Sequence, residues 1–136
     1  MEKEFVPYEL ALRLKNLGFD EPCLNFYQVK GRFYASAIYI ESQYDVKEFC
    51  DTDISCLAPT FSQAFRWFRD EYKLGVQATR DGGEWHFHIV YYGDEHKSSP
   101  QRNLTYVEKS SEDYEEVELA CLDKLIEIVE LDNKLK

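Results

Sequence analysis

Thr60 to Gly75, TFSQAFRWFRDEYKLG, is the stretch that most limits what this chain can become. Phe61, Ala64, Phe65, Phe68 and Tyr72 recur at i, i+3, i+4, i+7 and i+11. At roughly 100° per residue these positions form one apolar stripe, so the spacing predicts an amphipathic helix. Thr60 with Gln63 three residues on reads as a capping box, and Gly75 is placed to end the helix in a left-handed conformation. Aromatic rings this dense on one helix can organise a core. On the opposite face Arg66, Arg69 and Lys73 make a basic stripe.

That stripe stands out because the chain is acidic. Its 136 residues carry 26 Asp and Glu against 16 Lys and Arg, a formal net charge of −10. Such a balance disfavours binding to phosphate backbones, which depends on cations displacing counterions. The length suits a single globular domain over residues 1–136, and 44% hydrophobic content argues against disorder. No apolar run approaches the ~20 residues of a membrane span, and MEKEFVPYEL lacks the apolar centre of a secretory signal. A cytoplasmic protein with no membrane partner is expected. The four cysteines, Cys23, Cys50, Cys56 and Cys121, form no C-x-x-C pair. A Cys50–Cys56 bridge is the alternative to reduced thiols, disfavoured by that compartment.

Elsewhere the chain punctuates itself clearly. Pro7 fits the first turn of a helix carrying Val6, Leu10, Leu14 and Leu17, with Gly18 at its end. Leu24–Val29 and Arg32–Ile40 flank Lys30-Gly31 as a hairpin, and the second strand, apolar on both faces, is expected to be central. Glu41 to Ala58 reads as an irregular excursion with a short extended piece before Pro59. Val76–Thr79 and Glu84–Tyr92 flank Asp81-Gly82-Gly83 as a second hairpin, and Asn103–Val107 reads as a further strand. A long helix then runs from Tyr114 to about Leu131, capped by Asp113 with Glu116 as the reciprocating residue. Val117, Cys121, Leu125 and Ile128 form its apolar line, widened by Leu119, Leu122, Ile126 and Val129. The expected fold is α+β, an antiparallel sheet of four to five strands with three helices in the order α-ββ-α-βββ-α.

Four groups of residues could carry function. In the strand Trp85 to Tyr91, His86 and His88 share a face, a spacing from which two imidazoles can reach one metal, with His96, Asp94 or Glu95 as a third donor. Alternation gives a simpler account: Trp85, Phe87, Ile89 and Tyr91 face the core and the histidines face outward. No metal or other cofactor is therefore expected. Nothing marks a nucleophile, and Gly82-Gly83 leads into no helix that could cradle phosphate, so no catalytic residue is expected.

The second group is the basic stripe of Arg66, Arg69 and Lys73, which reads as a grip for a nucleic-acid backbone or an acidic partner, or more simply as a solvated face paired with Asp70 and Glu71. A third, Tyr27, Tyr34, Tyr39, Tyr91 and Tyr92, has the composition of a stacking platform for single strands, but the net charge and the habit of aromatics in sheets favour packing. The fourth lies in the last helix. From Glu108 to Lys136 there are ten acidic and four basic residues, and Glu116, Asp123, Glu127 and Glu130 fall within about 60° on a helical wheel. That stripe is either solvated surface or a recognition face for a basic partner, including the Arg66–Lys73 face of a second copy.

Three segments, EFVPYELALRLKNLGFDEPC, APTFSQAFRWFRDEYKL and EEVELACLDKLIEIV, resemble small proteins of phages, prophages and other mobile elements of Bacteroides-type gut bacteria. The resemblance covers nearly the whole chain, with Glu41 to Leu57 and Gly93 to Arg102 as variable parts. No activity, cofactor or catalytic residue is assigned to that family, so no site transfers. What the resemblance implies is a setting, an accessory protein of a mobile element. The combined expectation is a non-enzymatic protein-interaction module, in its sharper form an inhibitor of a host factor or a counter-defence protein. The alternative is a small metal-binding protein or enzyme centred on His86 and His88.

Overall fold

The structure, a computed structural model, describes residues 4–28, 31–40, 54–93 and 104–135. The fold is α+β. Among the described residues the helices are α1 (Tyr8–Asn16), α2 (Phe61–Tyr72) and α3 (Tyr114–Lys134). The strands are β1 (Cys23–Gln28), β2 (Phe33–Ile40), β3 (Ile54–Ala58), β4 (Leu74–Asp81), β5 (Glu84–Tyr91) and β6 (Leu104–Tyr106). They form two antiparallel three-stranded sheets, β2-β1-β3 and β4-β5-β6, where the sequence suggested one sheet of four to five strands. The chain divides into two compact units, Met1–Phe61 and Ser62–Lys136.

Among the described residues of the first unit β1 is the central strand and β2 an edge, where the sequence suggested a central β2. The physical reason is β3. The extended piece before Pro59 pairs with β1, setting Phe26 opposite Leu57 and Tyr27 opposite Cys56. Cys56, Leu57 and Ala58 are buried in succession, on both faces of the strand. The hairpin turn holds Gly31 at φ 84, its N–H donating to the Gln28 carbonyl at 3.0 Å; Lys30 lies outside the described residues. α1 packs against β3, burying Leu10, Ala11 and Leu14, while Leu17 is half-buried. Pro7 is the residue before the first helical one, with extended backbone, and Gly18 at φ 102 ends the helix. Tyr27 fixes the entry to α1 by donating its hydroxyl to the Val6 carbonyl at 2.6 Å. Val6 in turn donates its N–H to the Pro59 carbonyl at 2.9 Å.

In the second unit α2 buries Ala64, Trp67 and Phe68, while Phe65 and Tyr72 are half-buried. The buried side is thus turned toward Trp67 relative to the expected stripe. Trp67 touches Phe68 and Tyr72 edge-on, with ring centroids 5.1 and 5.3 Å apart. The left-handed residue after the helix is Lys73 at φ 58, and Gly75 lies within β4 opposite Val90. Gly75 is small for another reason. A Cβ there would meet the Tyr92 ring at 3.0 Å, tighter than ordinary packing. β4 and β5 pair without a bulge from Leu74/Tyr91 to Asp81/Glu84. Gly82 and Gly83, at φ 62 and 82, make the two-residue turn whose twist matches the strands.

α3 packs on β5, where Tyr114 stands edge-on to Trp85 with centroids 5.0 Å apart and also touches Phe87. Its cap differs from a simple capping box. Asp113 accepts from the Glu115 N–H at 3.1 Å as expected, yet Glu116 does not reach back to Asp113. Ser111 stands between them, its Oγ accepting the Asp113 N–H at 3.1 Å and donating to Glu116 Oε2 at 3.0 Å. The buried arc is Val117, Cys121, Leu122, Leu125, Ile126 and Val129. Leu119, expected in it, is exposed because it lies at the border of the acidic face, and Ile128 is half-buried.

Candidate functional site

β5 decides what the histidines can do. Phe87 and Ile89 are each 1% exposed and form the face that α3 covers. Alternation then places His86 and His88 on the other face, both half-buried. Register sets His86 opposite Thr79, and His88 opposite Gln77 on one side and Tyr106 on the other. Of these, Thr79 and Gln77 offer a hydroxyl and an amide, not a carboxylate or thiolate. Among the described residues no group of three His, Cys, Asp or Glu side chains is gathered to hold a metal ion. His96, Asp94 and Glu95 lie outside the described residues. Tyr91, expected to face the core with Phe87, is exposed where β5 ends.

The basic stripe is split by the end of α2. Arg66 and Arg69 lie exposed on the helix, but Lys73 follows it in the left-handed junction, its Nζ 3.5 Å from the Asp70 carbonyl. Arg69 Nε is 3.7 Å from Asp70 Oδ1, with both side chains more than half exposed, so the pair contributes little. Tyr92 donates its hydroxyl to the Arg69 carbonyl at 3.3 Å, and its N–H to the Lys73 carbonyl at 3.1 Å. Arg80 stands 5.6 Å above the Trp85 ring on the neighbouring strand. The result is a basic and aromatic corner of Arg69, Lys73, Tyr91 and Tyr92, which sequence spacing alone did not assemble. Tyr27 is buried, with its ring against Tyr8 and Phe33, and the side chains of Tyr34 and Tyr39 lie outside those described.

The acidic stripe is on one face of α3, opposite the buried arc. Glu116, Asp123 and Glu127 are exposed and Glu130 is half-buried. Glu116 serves the cap through Ser111 and lies 3.9 Å from Lys109 Nζ, and Glu127 lies 3.5 Å from Lys124 Nζ. Beside the stripe, Glu118 is half-buried, and burial, followed by the charge of Glu115, raises its pKa. Burial, then Glu118, pushes the Cys121 thiol up to about 12, which makes it a packing residue rather than a nucleophile. Cys23 and Cys56 are buried as well, and Cys50 lies outside the described residues. No family profile, curated protein or solved structure matches the chain. No helix among the described residues is long and apolar enough to cross a membrane.

Proposed function

We propose that this protein is a non-enzymatic interaction module that presents the acidic face of α3 to a basic protein partner. The observation that carries the reading is the exposure of Asp123 and Glu127 directly opposite the arc that anchors α3. A helix held by Val117, Cys121 and Leu125 offers those carboxylates from a rigid support, which lowers the ordering cost of recognition. The net charge of −10 steers a basic surface toward it and repels nucleic acid. The setting that fits is the cytoplasm, and the role that fits is an accessory protein of a phage or other mobile element that acts on a host factor or a defence protein.

The test reverses Asp123, Glu127 and Glu130 to Lys together. A partner captured from a host lysate at low salt should be lost with the variant and with rising salt, while circular dichroism stays unchanged. Equal capture by both chains sinks the reading. The competing metal or enzyme reading rests on His86 and His88 sharing a face, and predicts a stoichiometric ion in protein purified without a histidine tag.

A further inference from the structure

The sheet β4-β5-β6 has unequal edges. Beyond β5 the backbone is occupied: Phe87 accepts the Val107 N–H at 3.1 Å, and Trp85 donates to the Ser111 carbonyl at 2.7 Å. On the other side β4 is the last strand, and nothing among the described residues pairs with its far edge. Which groups face that edge follows from the turn. In a two-residue hairpin the flanking residues, here Asp81 and Glu84, exchange both hydrogen bonds, and every second pair does the same. The Tyr92 N–H to Lys73 carbonyl bond belongs to that series. Gly75, Gln77, Thr79 and Asp81 therefore bond to β5, while Leu74, Val76, Ala78 and Arg80 aim their N–H and C=O groups outward.

Among the described residues this edge lacks the usual protections. Strand β4 is eight residues long, holds no proline, and keeps its register without a bulge. Gln77 to Asp81 are exposed on both faces. Arg80, the one basic residue within the strand, is drawn over Trp85 on its own sheet. Natural edges of such length are ordinarily interrupted or covered, because they template another strand.

We infer that β4 pairs antiparallel with β4 of a second copy of this chain, about a two-fold axis at Gln77, continuing the sheet across both molecules. The choice of occupant comes from charge. The two-fold register that engages all four outward residues sets Leu74 against Arg80 and Val76 against Ala78. It also brings Lys73 of each copy, which precedes the strand in left-handed backbone, abreast of Asp81 of the other, an opposite charge within reach of its long side chain. Sliding by two residues sets Lys73 against Gly83 and loses both ion pairs. No like charges face each other in the favoured register. This interface is separate from the acidic face of α3.

Sedimentation equilibrium of the full chain over a range of concentrations tests it. The parent should form a dimer, and Ala78→Pro should be monomeric, because the lost N–H points away from β5 and its own hairpin survives. Asp81→Lys places lysines opposite each other and should weaken the dimer at least about tenfold. Adding Lys73→Glu to that variant should restore the parent's dissociation constant. If Ala78→Pro does not fold, the charge exchange decides. A parent that stays monomeric overturns the inference, as does a dimer indifferent to Asp81→Lys or one the double exchange fails to restore. Loss of the dimer on reversing Asp123, Glu127 and Glu130 also overturns it, since association then runs through α3.

Discussion

Trp67 is 5% exposed and Phe68 fully buried, whereas Phe65, three residues before Phe68 on the same helix, is only partly covered. Replacing either buried ring with alanine should cost about 3–5 kcal/mol, since a large cavity replaces a well-packed aromatic. Phe65→Ala should cost only about 1–2 kcal/mol, in proportion to the smaller area it removes from water. Urea midpoints at constant m-value measure all three, and a Phe65→Ala loss equal to that of Phe68→Ala would return the buried side of α2 to the periodic stripe. Glu118 supplies a second test. Its pKa is higher in the folded chain than in the unfolded one, so ionisation above that pKa opposes folding. The favourable contribution is complete below the unfolded pKa and is lost as pH rises through the folded one. Glu118→Gln should therefore raise the urea midpoint at pH 7, and the advantage should fade by about pH 3.5, where the parent is protonated in both states. An advantage independent of pH would mean the side chain acts by packing.

At the scale of elements, β5 separates its two faces cleanly. Phe87 and Ile89 hold the strand to α3, and His86 and His88 face away. Replacing His86 with Gln and His88 with Thr should change stability by less than about 1 kcal/mol, and equimolar zinc should leave the parent's melting temperature where it was. A large loss, or a zinc-dependent rise in melting temperature, would make the pair a site. The hairpin around Gly82-Gly83 was readable because left-handed backbone at both turn positions demands glycine. Of the third strand only a short extended piece before Pro59 was readable, not its place in a sheet, because Cys56, Leu57 and Ala58 are buried one after another and erase the alternation that tells faces apart. Its partner, β1, lies far upstream, so nothing local announced the pairing. The turn of α2 toward Trp67 was hidden for a similar reason: five apolar positions define a stripe, but only packing decides which border is covered. Of the candidate sites, the acidic face of α3 was legible from the wheel alone. The corner of Arg69, Lys73, Tyr91 and Tyr92 needed the β4–β5 register to bring residues from distant positions together.

Over the whole molecule, charge and connection length set different constraints. The segment Glu108–Lys136, with ten acidic and four basic residues, supplies most of the net charge, so the C-terminal helix dominates the long-range field a partner meets. Salt weakens that field over about 10 Å at 0.1 M, which is why the low-salt comparison of parent and triple reversal is the sensitive one. Connection length acts with no such tolerance. α2 passes into β4 through Lys73 alone, which takes left-handed backbone. Substitutions at the exposed positions of β4 alter one side chain each. A single inserted or deleted codon at this junction would shift the strand by one residue, turning Arg80 off Trp85 and exchanging the sheet's two faces. Descent with changes of length is therefore closed at this point of the gene, however freely the surface letters on either side drift.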